Sequence, residues 1–394
     1  MKPIRSGDRQ VIDERFMRRA LELARRGRAT TRPNPMVGAL VVRDGRILGQ
    51  GFHRRVGEAH AEVVALQATA EAGQDARGAT LYATLEPCCH TGRTGPCTQA
   101  ILAAGIARVV VACRDPYVEV NGRGIAALKA AGVTVDVGCL EAEAWDLNRP
   151  FFTWVTHGRP LVTLKVAATL DGHIAPRAVR GKTAPVWITG DEARAAAHDL
   201  RAQHHAILVG AGTVIADDPL LTIRGLAAGR GVPPPLRVIL DGRLRTPARA
   251  RVLAPADDGA RTVVVGATGA PVSKVRALER AGAEVALLPG KAGQVPLPRL
   301  LTWLGARQIQ SVLVEGGAQV HGAFVDAGLV DRVAFFLAPT LIGAGVPITA
   351  GVGRPVAKGL RLGPIKSQPV GGDLLLTADV VTDSAGLAPG APRS

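Results

Sequence analysis

The sequence predicts an α/β protein of two domains, and three observations carry that prediction. Strand-length apolar runs alternate with stretches of helical periodicity along most of the chain, the pattern of a sheet covered by helices on both faces. The chain has 394 residues, 47% of them hydrophobic and 21% charged, which is length for more than one domain and apolar surface for substantial cores. Between Asn148 and Pro160, two prolines and a glycine interrupt the alternation just before a fresh apolar strand, so the boundary is expected near 149–160. The expected parts are residues 10–149, residues 150–382, and a Gly-, Ala-, Pro- and Ser-rich tail at 383–394, read as disordered.

Each element follows from a local signal. Phe16, Met17, Ala20, Leu21, Leu23 and Ala24 repeat at helical spacing within 12–26, and Arg32-Pro33-Asn34-Pro35 stops any helix there. Asp44-Gly45 joins the apolar runs 37–42 and 47–51 as a hairpin. Residues 61–70, 97–104 and 124–131 then read as helices between strands at 79–85, 108–112 and 133–137. Past the boundary, strands are expected at 161–166, 206–210, 236–240, 262–265, 284–288, 311–314 and 332–337, mostly spaced by helical or Gly/Pro-rich segments.

Composition removes several classes of function. No apolar run has the roughly 18 residues of a membrane span, no solenoid repeat recurs, and the 47 Gly and 27 Pro show no collagen period. The formal charge of +15 is mostly Arg and is spread over both halves, so it suits anionic ligands in general and marks no nucleic-acid face. The N-terminus lacks a secretory pattern, and a cytoplasmic location is expected. All five cysteines lie between positions 88 and 139, which in a reducing compartment points to metal or catalytic use of some of them.

His60-Ala61-Glu62 opens one helix, Thr84-Leu85-Glu86-Pro87-Cys88 closes a strand, and Cys97 starts the next helix. One imidazole and two thiolates suit zinc, and three protein ligands leave a fourth position for water, the catalytic pattern. His60 and Glu62 can work on one side only if His60 lies at a non-helical entry, which Gly57 permits. Glu62 would then take a proton from water and return it to a leaving amine, as hydrolytic deamination requires. The alternative is a closed structural site with Cys89 or His90 as fourth ligand. Cys113 and Cys139 read as small buried hydrophobes, and Cys89 as a spectator.

The H-x-E pair followed by Pro-Cys and a second Cys resembles the cytidine-deaminase-like zinc site. Eight residues separate Cys88 from Cys97, and this longer loop resembles the deaminase half of the bifunctional riboflavin-biosynthesis deaminase/reductase family. Pro33-Asn34-Pro35-Met36-Val37-Gly38 and Gly51-Phe52-His53 extend the match over most of 12–148. The resemblance implies a cytidine-deaminase-like three-layer domain with Zn²⁺ on His60, Cys88 and Cys97 and with Glu62 as the catalytic acid/base. It implies substrate contacts from Asn34 and His53 to sugar or base, from His90 and Arg93 to base and phosphate, and from Asp115. Tyr117-Val118 departs from the family's Asn-Pro at that point.

The second half has no G-x-G-x-x-G opening a βαβ unit, so a Rossmann cofactor domain is not expected. Instead Lys165 interrupts a buried-looking strand that ends at Asp171-Gly172, a costly placement unless the amine is paired or used. Two further strands run into glycines, at Val209-Gly210-Ala211-Gly212-Thr213 and at Val314-Glu315-Gly316-Gly317, turns whose N–H groups can approach a phosphate. Taken in order with Asp217 to Arg224, these resemble the reductase half of the same family, which has a dihydrofolate-reductase-like fold and uses NADPH. The resemblance places Ala167, Trp187, Thr213, Asp217 and the run Gly317, Ala318, Gln319, Val320, His321, Gly322 and Ala323 around the cofactor. It gives Arg201, Leu221, Arg224 and Glu315 to the ribose phosphate or its base, and Lys165 with Asp171 to the reaction centre. Pro185 departs from the small hydroxyl residue common before Val186-Trp187.

The expected protein is therefore a hydrolase and oxidoreductase of riboflavin biosynthesis. It would be homo-oligomeric and act on a small phosphoribosylaminopyrimidine, with no nucleic-acid or membrane partner. A nucleoside or tRNA deaminase with an accessory domain is the rival reading, and a non-catalytic zinc-stabilised binding protein the third.

Overall fold

The computed structural model describes residues 6–381 except 29, 91–94, 178–186, 226–231, 257 and 292, and it divides into two compact units between His157 and Gly158. Arg93, Pro185 and the tail at 383–394 lie outside the described residues.

The first unit runs α1 (Ser6–Arg25), β1 (Gly38–Arg43), β2 (Arg46–Phe52), α2 (Ala61–Glu71), β3 (Thr80–Ala83), α3 (Cys97–Ala103), β4 (Arg108–Val111), α4 (Arg123–Ala130), β5 (Thr134–Val137) and α5 (Glu141–His157). Its sheet has the order β2-β1-β3-β4-β5, antiparallel at the β1 pairings and parallel from β3 onward. Strand alternation assigns the faces. Leu40, Val42, Tyr82 and Val110 pack with Phe16, Met17 and Leu21 of α1 and with Leu147, Phe151 and Phe152 of α5. Ala39, Val41, Leu81, Val109 and Val111 meet Ala65 of α2, Ile101 of α3 and Leu128 of α4. Three layers result, and the loops leaving β3 and β4 carry Cys88 and Asp115.

Residues 148–157 of the segment expected to hold the boundary are the second half of α5, which continues through Pro150 to His157, and the units divide directly after it. A proline inside a helix costs about 3 kcal/mol, but α5 buries Ala144, Leu147, Phe151 and Phe152 along one stripe, and that burial outweighs the local penalty.

The second unit comprises β6 (Leu161–Thr169), β7 (His173–Pro176), α6 (Asp191–Ala202), β8 (Ala206–Gly210), α7 (Ala211–Asp217), β9 (Leu236–Leu240), β10 (Thr262–Ala267), α8 (Val272–Arg280), β11 (Glu284–Leu288), α9 (Leu297–Ala306), β12 (Ser311–Val314), α10 (Ala318–Asp326), β13 (Arg332–Ala338), β14 (Gly345–Pro347), β15 (Arg361–Leu362), β16 (Lys366–Val370) and β17 (Asp373–Val381). The main sheet has the order β11-β10-β9-β8-β12-β6-β13-β17-β15, with β16 also on β17. It is parallel from β11 to β13 and antiparallel at β17. Leu300, Leu301 and Leu304 of α9 and Phe324 of α10 cover one face, and Val214 of α7 and Leu278 of α8 the other. β14 to β17 are additions to the sequence reading, because the exposed β16 and the half-buried β17 lack a clean apolar alternation. Among the described residues no helix is long and apolar enough to cross a membrane.

Candidate active sites

In the first unit His60 stands just before α2 with φ −71° and ψ 161°, an extended entry that lets its ring and the Glu62 side chain share one side. Cys97 is the first residue of α3, and its N–H points at Cys88 Sγ, 3.4 Å away. His60 Nδ1 lies 3.2 Å from Cys97 Sγ and 3.5 Å from Cys88 Sγ. Tetrahedral zinc with its usual bond lengths sets N and S ligands about 3.6 Å apart, so this donor set fits the ion. Among the described residues no other group of three or more His, Cys, Asp and Glu side chains is drawn together in this way. The Cys97 thiol and His60 hold the Cys88 thiol well below its ordinary range, which favours the thiolate a metal needs. The same bond to Cys88 pushes Cys97 up.

Glu62 is buried, and burial pushes its carboxyl up to about 7 against the opposing charge of His60. Cys89 instead leans on Glu119 O and His90 on Glu119 and Tyr117, so neither joins the ligand group. Cys113 is buried against Thr84 O, and Cys139 packs at the α1 and α5 core.

A cavity of about 360 Å³ opens on His60, Glu62 and Cys88. Asn34, His53, His90 and Asp115 all line it, so the structure gathers each described residue that the resemblance assigns to this substrate. Ala59 O can only accept, which puts the His53 proton on Nδ1 and leaves Nε2 to accept from Asn34 Nδ2 at 3.1 Å. Asp115 Oδ1 accepts the Tyr117 N–H, yet burial pushes this carboxyl up to about 7. Glu86, quoted in the strand motif without a role, accepts four backbone N–H groups, from Asp115, Gly122, Gly124 and Ile125, and so ties down the loop after β4. Phe151, Trp154 and Val155 of α5 also line the cavity. Their apolar pattern was visible in the sequence, but the prolines hid the helix.

In the second unit the site gathers at the carboxyl ends of parallel strands. The register pairs Val314 with Leu164, which brings Glu315 beside Lys165. Arg201 of α6 grips Glu315 with two bonds, Nε to Oε1 at 2.6 Å and Nη2 to Oε2 at 2.7 Å, and donates Nη1 to Thr222 O. Burial alone would raise Glu315, but the Arg201 charge, the bonds to it and Lys165 hold it down to about 2. Burial pulls the Lys165 ammonium down, with Glu315 opposing. Leu221 is buried at φ 53°, a strained backbone for a bulky residue, and the turn it makes presents Thr222 to Arg201. Arg224 is exposed, and its N–H donates to His198 Nδ1.

The glycines after β12 make the cradle. A Cβ on Gly316 would lie 2.5 Å from Val209 Cα of β8, and Gly317 has φ 66° with ψ 146°, a conformation essentially confined to glycine. Thr213 Oγ1 borders this turn, and Ala318 through Ala323 form the start of α10. Open backbone N–H groups at the head of a helix fit a cofactor phosphate. Ala167 lies farther along β6, Trp187 is exposed with Arg194 stacked 4.9 Å from its ring, and burial raises Asp217 at the end of α7. Asp171, expected with Lys165, follows β6, and its carboxylate takes the Thr169 hydroxyl and the Ile342 and Gly343 N–H groups.

Residues 10–113 match the cytidine and deoxycytidylate deaminase zinc-binding region, and residues 160–376 match the RibD C-terminal domain. The chain is 42% identical over 365 residues to the riboflavin biosynthesis protein RibD of Aquifex aeolicus, covering 93% of this chain and 98% of that one. It is similar to the solved structure of Acinetobacter baumannii RibD, with a TM-score of 0.82 and 37% identity over 95% of this chain and all of the other. It is equally similar to a diaminohydroxyphosphoribosylaminopyrimidine deaminase/5-amino-6-(5-phosphoribosylamino)uracil reductase of Thermotoga maritima, with a TM-score of 0.80, 37% identity and the same coverage.

Proposed function

The chain belongs to the RibD family of riboflavin biosynthesis, which joins a zinc-dependent deaminase to an NADPH-dependent reductase, and from that premise we propose two consecutive steps on one small pyrimidine. The first removes an amino group hydrolytically from 2,5-diamino-6-(5-phosphoribosylamino)pyrimidin-4(3H)-one, and the second reduces the ring-opened ribose to a ribityl chain. The first unit, through α5, would carry the deaminase and the second unit the reductase.

A single observation supports the first step most: Glu62 is buried where the His60, Cys88 and Cys97 cluster meets the cavity. Zinc, when bound by these three, supplies the Lewis acidity that makes water nucleophilic at neutral pH. Glu62 Oε accepts the water proton and returns it to the departing amine nitrogen, a shuttle suited to a carboxyl whose burial raises its affinity for the proton. Asn34 and His53 orient the base and sugar, and Asp115, His90 and Arg93 complete the contacts.

In the second unit NADPH, when bound, supplies the hydride. Gly317 to Ala323, Ala167, Trp187, Thr213 and Asp217 would hold it. Lys165 Nζ donates a proton to the opening ribose, Arg201 and Glu315 orient the chain, and Leu221 and Arg224 close on the base and phosphate. For Asp171 the hydrogen bonds favour a role in holding the loop at Ile342 and Gly343 beside that centre. We further propose a homo-oligomer in a reducing cytoplasm, in keeping with five free cysteines, and no nucleic-acid substrate, in keeping with the dispersed charge.

Ammonia release and NADPH oxidation, followed separately on the purified protein, test the proposal. Glu62→Ala should abolish the first and spare the second when deaminated intermediate is supplied. Deamination surviving Glu62→Ala, or turnover of tRNA, would overturn it.

A further inference from the structure

Asn148 sits inside α5, 2% exposed, where a polar side chain gains nothing from the helix and is costly to bury without partners. Both of its amide groups are satisfied by one distant residue: Met36 N donates to Oδ1 at 2.8 Å, and Nδ2 donates to Met36 O at 2.8 Å. Met36 ends the run Pro33-Asn34-Pro35-Met36, in which two of four residues have no N–H and cannot join a ladder. The paired bonds therefore fasten this run to the helix much as a neighbouring strand would. Asn34, two residues away, reaches His53 from the fastened loop and lines the cavity over Glu62. One turn beyond Asn148, Phe151 faces the same cavity, followed by Trp154, with the two rings 6.2 Å apart.

We infer that α5 is a substrate-recognition element of the deaminase: Asn148 is a positioning residue that sets the Asn34 loop, and Phe151 with Trp154 forms the apolar wall on which the planar pyrimidine packs. The inference rests on the deaminase reading above. It assigns recognition to the segment in which the sequence places the domain boundary, and aromatic walls of this kind hold flat heterocycles by stacking and dispersion.

The test uses the full chain, with zinc content as the control of folding of the first unit and reductase activity as that of the second. Asn148→Ala should raise the deaminase KM up to about tenfold, the loss expected if the loosened loop forfeits one good hydrogen bond from Asn34 to substrate. The deaminase kcat, zinc content, and NADPH oxidation with deaminated intermediate should stay within about threefold of the parent, since Asn148 touches no metal ligand and no reacting atom. Trp154→Ala should also raise KM several-fold with zinc retained. An unchanged KM in Asn148→Ala, or a parallel fall of zinc content and kcat without a KM change, overturns the inference. If Asn148→Ala does not fold, Trp154→Ala decides, and an unchanged KM there overturns it. Failure of the parent enzyme to release ammonia would instead reject the deaminase reading.

Discussion

Removing the Glu315 carboxylate is the most quantitative test of the second site. Its two bonds to Arg201 are 2.6 and 2.7 Å long, and the paired side chains are only 7% and 17% exposed, so solvent screens them little. In Glu315→Ala the guanidinium keeps Thr222 O as acceptor but loses its counter-charge, and stranding a buried partner costs about 3–5 kcal/mol. The depressed Glu315 carboxyl expresses the same pairing as a pH dependence: held at about 2 against an ordinary 4.5, it contributes about 3 kcal/mol. The folded value is depressed, so this stability is fully present above pH 4.5 and is lost as pH falls toward 2. In a unit of this size the loss corresponds to a fall of about 10 °C in its melting transition. Calorimetry at pH 7 should show that fall in Glu315→Ala, and its difference from the parent should shrink between pH 4.5 and 2. Replacing both partners, Arg201→Met with Glu315→Leu, should restore most of the stability while NADPH oxidation stays lost. A fall below about 2 °C at pH 7, or a difference that does not shrink in acid, would refute the reasoning.

Two other outcomes follow from the same geometry. Cys97→Ser should abolish stoichiometric zinc, measured by atomic absorption, and deamination with it, whereas Cys89→Ser should retain the metal because its sulfur leans on Glu119 O. Gly317→Ala forces a Cβ onto backbone at φ 66°, which should cost about 1–3 kcal/mol, and it should weaken NADPH binding in calorimetry while ammonia release is unchanged.

The chemistry-bearing residues were legible from short motifs at element ends, although His60 meets Cys88 and Cys97 only across 28 and 37 positions. His60-Ala61-Glu62, Pro87-Cys88 and Cys97 sit at element ends, where a turn signal, a strand end and a helix start identify both the residue and its exposure to a site. The hairpin at Asp44-Gly45 and the parallel strands of both units were legible for a similar reason, since period-2 and period-3.6 burial is written locally. The helix α5 was not, because proline content is a local property and the burial of Phe151 and Phe152 against α1 is not.

By itself the sequence determined two α/β units, a candidate His–Cys–Cys ligand set with one carboxylate beside it, and two glycine turns ending apolar strands. Tertiary structure alone decided which partners those groups meet. It paired Arg201 with Glu315 over 114 positions and bound Asn148 to Met36 over 112. It also drew Asp171 to Ile342 and Gly343 over 171 and 172 positions. Side-chain type and periodicity are properties of neighbours in the chain, whereas pairing of buried charges and amides is settled by strand register and helix packing, which bring together residues that no local pattern relates.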